Sequence, residues 1–129
     1  MATPIHVLGF SGSLRKVSYN TAALRAAHEL LPPGMTLEIF DLAPIPMYNG
    51  DVEAQGDPAP VKQFKEHILA ADALLIATPE YNYSISGVLK NAIDWASRPP
   101  RAMPLSGKPL AIMGAGGRFG TVRAQLHLR

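Results

Sequence analysis

The stretch of sequence that decides the fold is Ala73-Leu-Leu-Ile-Ala-Thr-Pro-Glu-Tyr-Asn-Tyr-Ser84. Its first six residues are almost all apolar, which is typical of a buried parallel strand. The run stops at Pro79, which cannot donate to a strand ladder. A helical pattern follows at once and covers residues 87–97. This change predicts a strand-to-helix unit, with a polar loop at the carboxyl end of the strand.

The same arrangement recurs along the chain, whose 129 residues are enough for one domain. Further strands are predicted at residues 5–10, 36–40 and 109–114, and further helices at residues 21–31, 61–71 and 121–129. Because strands alternate with helices, we expect an α/β fold with a doubly wound parallel sheet. A sheet of order 2-1-3-4-5 needs a fifth strand and helix after residue 129. Residues 1–129 are therefore expected to form a single domain that is either a four-stranded variant or lacks the last strand and helix.

Composition limits the classes of function. The hydrophobic share is 47% and the charged share 17%, as in soluble globular proteins, and the chain has no cysteine for disulfide or thiolate chemistry. No apolar run approaches the roughly 20 residues of a membrane helix, and residues 1–4 do not resemble the start of a secretory signal. The net charge of +2 comes with no stripe of basic and aromatic residues. We expect a cytoplasmic protein that acts on small molecules and binds neither nucleic acid nor membranes.

The loop after the first strand, residues 11–20, is rich in hydroxyl groups and lies just before a helix. Loop amides and helix N-termini bind phosphate, and Arg15 would add a charge-assisted contact. The third glycine of the dinucleotide fingerprint is missing, as is the Gly-Lys-Ser/Thr of a P-loop. The loop therefore suits a terminal phosphate monoester, with Ser11, Ser13, Ser18 and Asn20 as further donors. The alternative is an ordinary turn whose serines and asparagine only cap the helix.

The loop after the third strand has a different character. Tyr81 and Tyr83 offer flat apolar faces for a planar ring, and Asn82 offers polar groups for its edges. Glu80 lies beside them, and Ser86 is expected to cap the next helix. The alternative is that the tyrosines are core or interface aromatics and that Glu80 is a surface or capping carboxylate.

Other kinds of site find no support in the sequence. The four histidines show no metal-ligand spacing, and the run Gly9-Phe-Ser-Gly12 lacks the spacing of a nucleophile elbow. We expect no metal site and no catalytic side chain.

Three motifs together resemble the NAD(P)H-dependent FMN reductase family, which includes quinone and chromate reductases. They are Ser-Leu-Arg-Lys-Val-Ser-Tyr-Asn at residues 13–20, Pro-Glu-Tyr-Asn-Tyr at residues 79–83 and Leu-Lys-Asn-Ala-Ile-Asp-Trp at residues 89–95. The resemblance runs from residue 5 to the last residue and implies a flavodoxin-like fold. It implies bound FMN, NAD(P)H as co-substrate and two-electron transfer to quinones, azo compounds, metal oxyanions or free flavin.

The resemblance also implies roles by position. The FMN phosphate would be held by Ser13, Arg15, Ser18 and Asn20, with Leu14, Lys16, Val17 and Tyr19 completing that loop. The ribityl chain and ring would be bordered by Glu80, Tyr81, Asn82 and Tyr83, which follow Pro79. A third loop, residues 114–118, would approach the other side of the flavin through Gly116 and Gly117. Independently of the resemblance, Arg118 and Arg101 are candidates for the NADPH phosphate, because both are expected near the same sheet edge.

Two further functions remain open at this point: a non-enzymatic electron carrier of the flavodoxin type, and a flavin-free interaction module. Electron carriers of that type tend to be acidic, whereas this chain is basic. The resemblance also implies a homodimer or homotetramer.

Overall fold

The computed structural model describes residues 2–129. Its elements follow one another as β1 (Ile5–Ser11), α1 (Tyr19–Glu29), β2 (Met35–Phe40), α2 (Gly50–Glu53), α3 (Ala59–Ala70), β3 (Ala73–Ala77), α4 (Gly87–Ala96), β4 (Leu110–Met113) and α5 (Val122–Leu128). The predicted strands and long helices are all present, to within two residues at most ends. The short helix α2 lies within residues 41–60, which contain four prolines and for which the sequence predicts no helix before residue 61.

The four strands form one parallel sheet of order β2-β1-β3-β4. Gly9 of β1 pairs with Ile39 of β2 and with Leu75 of β3 in register. This is the doubly wound, flavodoxin-like α/β arrangement that the sequence predicts. All strands run the same way, so the loops after β1, β3 and β4 emerge at one edge of the sheet.

Helices cover both faces of the sheet. Leu8 and Phe10 of β1 are fully buried on one face, where Phe64 of α3 packs edge-on against Phe10 at 5.2 Å between ring centroids. Leu89 of α4 belongs to the same core cluster. Strand residues alternate between faces, so Gly9 points the other way. A Cβ there would lie 3.2 Å from Leu24 of α1, which shows that α1 packs closely on the second face.

The proline-rich segment after β2 packs onto α4. The carbonyl of Pro46 accepts hydrogen bonds from Asn91 Nδ2 and Trp95 Nε1, both at 2.8 Å. The Tyr48 ring meets Trp95 edge-on at 5.0 Å, and its hydroxyl donates to Glu53 at 2.6 Å. These contacts fix the position of α4, whose N-terminus follows the loop after β3.

Among residues 2–129, none of the helices combines the length and the apolar character needed to cross a lipid bilayer.

Candidate functional site

A cavity of about 350 Å³ opens at the sheet edge where the loops after β1, β3 and β4 meet. Ligands of α/β sheets usually bind at such an edge, outside the carboxyl ends of the strands. The cavity is lined by Ser13, Arg15, Ser18, Tyr19, Asn20, Pro79, Glu80, Tyr81, Ala115, Gly116, Gly117, Arg118, Phe119, Gly120 and Arg123. The tertiary structure thus brings together side chains from all three loops that the sequence singled out.

Some of the predicted site residues lie elsewhere. Ser11 and Leu14 line a neighbouring cavity, while Lys16 and Val17 are exposed on the first loop. Asn82 and Tyr83 form the exposed tip of the second loop and do not line the main cavity. Of the two arginines suggested for a nucleotide phosphate, Arg118 lines the cavity and Arg101 does not.

The first loop is shaped by its own hydroxyl groups. Ser11 Oγ accepts from the amide of Ser13 at 3.1 Å, and Ser13 Oγ accepts from the amide of Arg15 at 3.3 Å. Ser18 caps α1, since its Oγ accepts from the amide of Thr21 at 3.2 Å. Ser18, rather than Asn20, is therefore the cap. These three bonds use the amides of Ser13, Arg15 and Thr21 and hold the loop in place before α1.

Several donors of this loop are left without a protein partner. Within residues 2–129, the loop amides that donate to no protein acceptor are those of Leu14, Lys16, Val17, Tyr19 and Asn20. No carboxylate in that range pairs with Arg15, whose guanidinium lies 5.7 Å from the centre of the Tyr19 ring. A group of amides, hydroxyls and one free cation, with no acidic side chain among them, suits an anion such as phosphate.

Asn20 joins the first loop to the third. Its Nδ2 donates to the carbonyl of Ala115 at 3.1 Å, and its Oδ1 accepts from the amide of Ala115 at 2.9 Å. The side chain is almost fully buried. Asn20 therefore fixes the distance between two walls of the cavity, a positioning role that sequence spacing alone did not indicate.

The third loop needs glycine for close packing at two positions. A Cβ on Gly114 would lie 2.5 Å from the carbonyl oxygen of Thr78 and would overlap Thr121 Oγ1. A Cβ on Gly116 would lie 2.5 Å from the carbonyl oxygen of Gly120. Gly117 differs, because a Cβ there would meet no protein atom within 4 Å. The loop thus presents bare backbone to the cavity and leaves room for a ligand next to Gly117.

The second loop ends in a tight turn. Tyr81 and Ser84 exchange backbone hydrogen bonds of 3.0 and 3.1 Å, and the residues between them have positive φ, 49° for Asn82 and 70° for Tyr83. Positive φ at both central positions defines a type I′ turn, in which glycine is usually favoured over a bulky residue. A tyrosine held in this conformation is uncommon away from functional sites.

The Glu80 carboxylate is hydrogen-bonded to protein donors of α5. Its Oε1 accepts from the amides of Arg123 and Ala124 at 2.8 and 3.0 Å, and its Oε2 accepts from Arg123 Nε at 2.6 Å. These donors, with the Arg123 side chain first, lower the pKa of Glu80 below its ordinary value, although burial opposes them. The bond to Glu80 likewise raises the pKa of Arg123. Both groups are therefore charged at neutral pH.

Arg123 and Phe119 are cavity residues that sequence reasoning missed. The Arg123 guanidinium lies 3.8 Å from the centre of the Tyr83 ring and 5.4 Å from that of Phe119. One signal for Arg123 was present in the sequence. A cation in the first turn of a helix opposes the helix dipole, and its position there indicates a carboxylate partner nearby.

Most of the hydroxyl and amide donors lie in the first loop of the cavity and most of the apolar surface lies in the second and third loops, which fits a phosphorylated planar molecule. Ser13, Arg15 and Ser18 could hold a phosphate group. Pro79, Tyr81 and the glycines of the third loop offer apolar and bare backbone surface for a ring. Among the described residues 2–129, no three histidine, aspartate or glutamate side chains are grouped as around a metal ion. The phosphate donors of the first loop and the ring surface of the other two loops fit FMN.

The model of the NADPH-dependent FMN reductase family matches residues 5–129. The chain is 65% identical over 130 residues to the NAD(P)H-dependent FMN reductase PA1204 of Pseudomonas aeruginosa, covering 100% of this chain and 70% of that protein. It is 50% identical over 129 residues to the NADPH:quinone oxidoreductase of Arabidopsis thaliana, covering 97% of this chain and 65% of that protein. The chain thus spans about two thirds of the length of these relatives.

A solved structure with a similar fold is FerB, a flavoenzyme NAD(P)H:(acceptor) oxidoreductase from Paracoccus denitrificans. It superposes with a TM-score of 0.89 at 38% identity, covering 96% of this chain and 68% of that chain. These relatives are named as reductases and oxidoreductases, and none of these names favours an electron carrier or a flavin-free module. The chain belongs to the NADPH-dependent FMN reductase family, oxidoreductases that use FMN and NAD(P)H and share an α/β flavodoxin-like fold.

Proposed function

We propose that this chain binds FMN in the cavity between the three loops and acts as an NAD(P)H-dependent reductase of small-molecule acceptors. The observation that carries the proposal is the separation of functions within one cavity. Among residues 2–129, the first loop has amides without a protein acceptor and an arginine without an ion pair, while apolar and aromatic groups lie mainly in the second and third loops. FMN, when bound, supplies hydride transfer between NAD(P)H and the acceptor.

The first loop has the donors for the phosphate. Ser13 and Ser18 each accept one backbone hydrogen bond, so each hydroxyl hydrogen is available to a ligand. Arg15 adds a positive charge that no carboxylate among residues 2–129 neutralises. Together with the unpaired amides, these groups would fix one end of the cofactor. Leu14, Lys16, Val17 and Tyr19 contribute through that backbone.

The second and third loops would orient the ring. Pro79 and Tyr81 line one side, and the backbone of Gly116 and Gly117 lines another. Asn82 and Tyr83 are at the exposed tip, where they are placed to contact the outer part of a bound ring or a co-substrate. No side chain here needs to act as acid or base, since the protein's part is to bind, to orient and to exclude water.

The acceptors that we propose are quinones, azo compounds, metal oxyanions and free flavin, which are the acceptors that the family resemblance implies. Tyr19, Tyr81, Tyr83 and Phe119 are all exposed around its mouth. An exposed aromatic rim of this kind favours contact with another subunit, and we propose a homodimer or homotetramer. Light scattering during size-exclusion chromatography at two protein concentrations tests the assembly.

We also propose that the protein is cytoplasmic, since NAD(P)H is an intracellular reductant. Immunoblotting of cell fractions tests this location.

The experiment that tests the function is an absorption spectrum of the purified protein after FMN has been added and the excess removed. We expect retained flavin bands that bleach when NADPH is added without oxygen and return when a quinone follows. Retained flavin that NADPH does not bleach would support a carrier and contradict the reductase. A colourless protein would contradict FMN binding itself.

A further inference from the structure

A second cavity, of about 360 Å³, lies beside the first on the β2 side of the first loop. Its volume is within the range of small-molecule sites, about 300–1,000 Å³. Ser13 and Arg15 line both cavities. The two spaces therefore adjoin at the residues that would hold the phosphate of FMN, and a group attached to that phosphate could extend into the second cavity.

The charges of this cavity favour an anion. Arg15 and Arg25 both line it, and no ion pair among residues 2–129 involves either of them. Asp41 is the one carboxylate among its lining residues. Its Oδ1 accepts from the amide of Ala43 at 2.9 Å, which leaves Oδ2 as an acceptor. Two cations and one carboxylate suit a phosphate accompanied by hydroxyl donors, because guanidinium groups bind the first and a carboxylate binds the second.

A buried hydroxyl adds a further donor. Ser11 lines the cavity with only 8% of its surface exposed. Its Oγ accepts from the amide of Ser13, and within residues 2–129 its hydroxyl hydrogen is donated to no protein acceptor. The wall also contains Leu14 and Ile39, whose side chains are exposed and apolar. Such surfaces suit the face of a purine base.

We propose that the second cavity binds the adenylate group of a dinucleotide, with Arg15 and Arg25 contacting its phosphate and Asp41 accepting from its ribose hydroxyls. The proposal rests on the proposed function, because Ser13 and Arg15 then serve the FMN phosphate as well. Two sources share this chemistry: FAD held in place of FMN, and NAD(P)H bound while FMN is in place.

The primary test is calorimetric titration of the FMN-loaded protein with AMP, and with adenosine and inorganic phosphate for comparison. We expect AMP to bind at least about tenfold more tightly than either fragment. Arg25→Ala should weaken AMP binding by about 10–100-fold, the usual scale for a hydrogen bond to a charged group. Arg101→Ala is the matched control, since Arg101 is also exposed but lines neither cavity, and should bind AMP like the wild type.

Two measurements separate the sources. If FAD is the ligand, Arg25→Ala should weaken FAD binding to the flavin-free protein by about tenfold or more and leave FMN binding unchanged. If NAD(P)H is the ligand, the variant should raise KM for NADPH while kcat and KM for reduced nicotinamide mononucleotide stay the same.

The proposal is overturned if AMP binds neither the FMN-loaded nor the flavin-free protein, or if Arg25→Ala and Arg101→Ala behave alike. It is also overturned if Arg25→Ala changes neither FAD binding nor KM for NADPH. Failure of the wild type to retain FMN is a different result, which contradicts the proposed function. Retention of FMN with no AMP binding to either form of the protein removes only the adenylate site.

Discussion

Glu80 of the loop after β3 and Arg123 of the first turn of α5 are joined by a hydrogen bond of 2.6 Å between Oε2 and Nε. Both residues line the main cavity. The same carboxylate accepts from two amides at the start of that helix. The pair therefore anchors α5, and with it the third loop, to the second loop. Arg123 is in turn placed over Tyr83.

Replacing Glu80 should show a defined pH dependence. Glu80→Gln keeps an acceptor but loses the charge, so the free energy of unfolding should fall at neutral pH. Because the folded-state pKa of Glu80 is lowered, its contribution is fully present above its ordinary pKa and is lost as pH falls through the folded-state pKa. Urea denaturation from about pH 7 to about pH 3 should show the difference from wild type shrinking.

Glu29→Gln is the control, as Glu29 is exposed and forms no ion pair within residues 2–129. A difference between Glu80→Gln and wild type that stays constant with pH would contradict the charged pair.

Arg15→Ala should weaken FMN binding by roughly 1.5–3 kcal/mol, which is about 10–100-fold in Kd. The reason is the loss of a charge-assisted contact to phosphate from a guanidinium that no protein carboxylate among residues 2–129 neutralises. Fluorescence quenching of FMN measures the affinity directly. Riboflavin, which lacks the phosphate, should bind wild type and variant equally. Equal FMN affinity in Arg15→Ala and Arg101→Ala would refute the assignment.

Asn20→Ala should loosen the third loop. Both hydrogen bonds to Ala115 are lost, and the partly buried amide and carbonyl of Ala115 lose these partners, so we expect a loss of about 1–3 kcal/mol of stability. Hydrogen exchange should show the Ala115 amide exchanging faster than in wild type. Gln63→Ala truncates an exposed helical side chain and should leave that amide unchanged. An unaltered Ala115 exchange rate in Asn20→Ala would show that other contacts hold the loop.

Two glycines of the third loop should respond differently to alanine. Gly114→Ala places a Cβ against Thr78 and Thr121, and overpacking of this kind usually costs about 1–3 kcal/mol. Gly117→Ala meets no protein atom and should unfold at nearly the wild-type temperature. Thermal unfolding of the flavin-free proteins measures both. A stable Gly114→Ala protein would mean that the loop can move away from Thr78.

Much of the site could be predicted because its signals are local. The hydroxyl-rich loop after β1 and the Pro-Glu-Tyr-Asn-Tyr turn after β3 are visible as sequence motifs beside their strands. Local sequence predicts that Glu80 borders the cofactor but cannot show its hydrogen-bond partner, Arg123, which lies 43 residues later in α5. The bond from Asn20 to Ala115 spans 95 residues and is equally invisible in a local pattern.

The sequence by itself determined the order and kind of the strands and long helices, because apolar periodicity and proline or glycine breaks act over a few residues. It also determined which loops carry donors and which carry aromatic rings. Only the tertiary structure decided which donors remain free, since Ser13, Ser18 and Asn20 each give part of their hydrogen-bonding capacity to the backbone. It also decided that Arg15 lines two cavities, because that depends on how β1, β2 and α1 pack against one another.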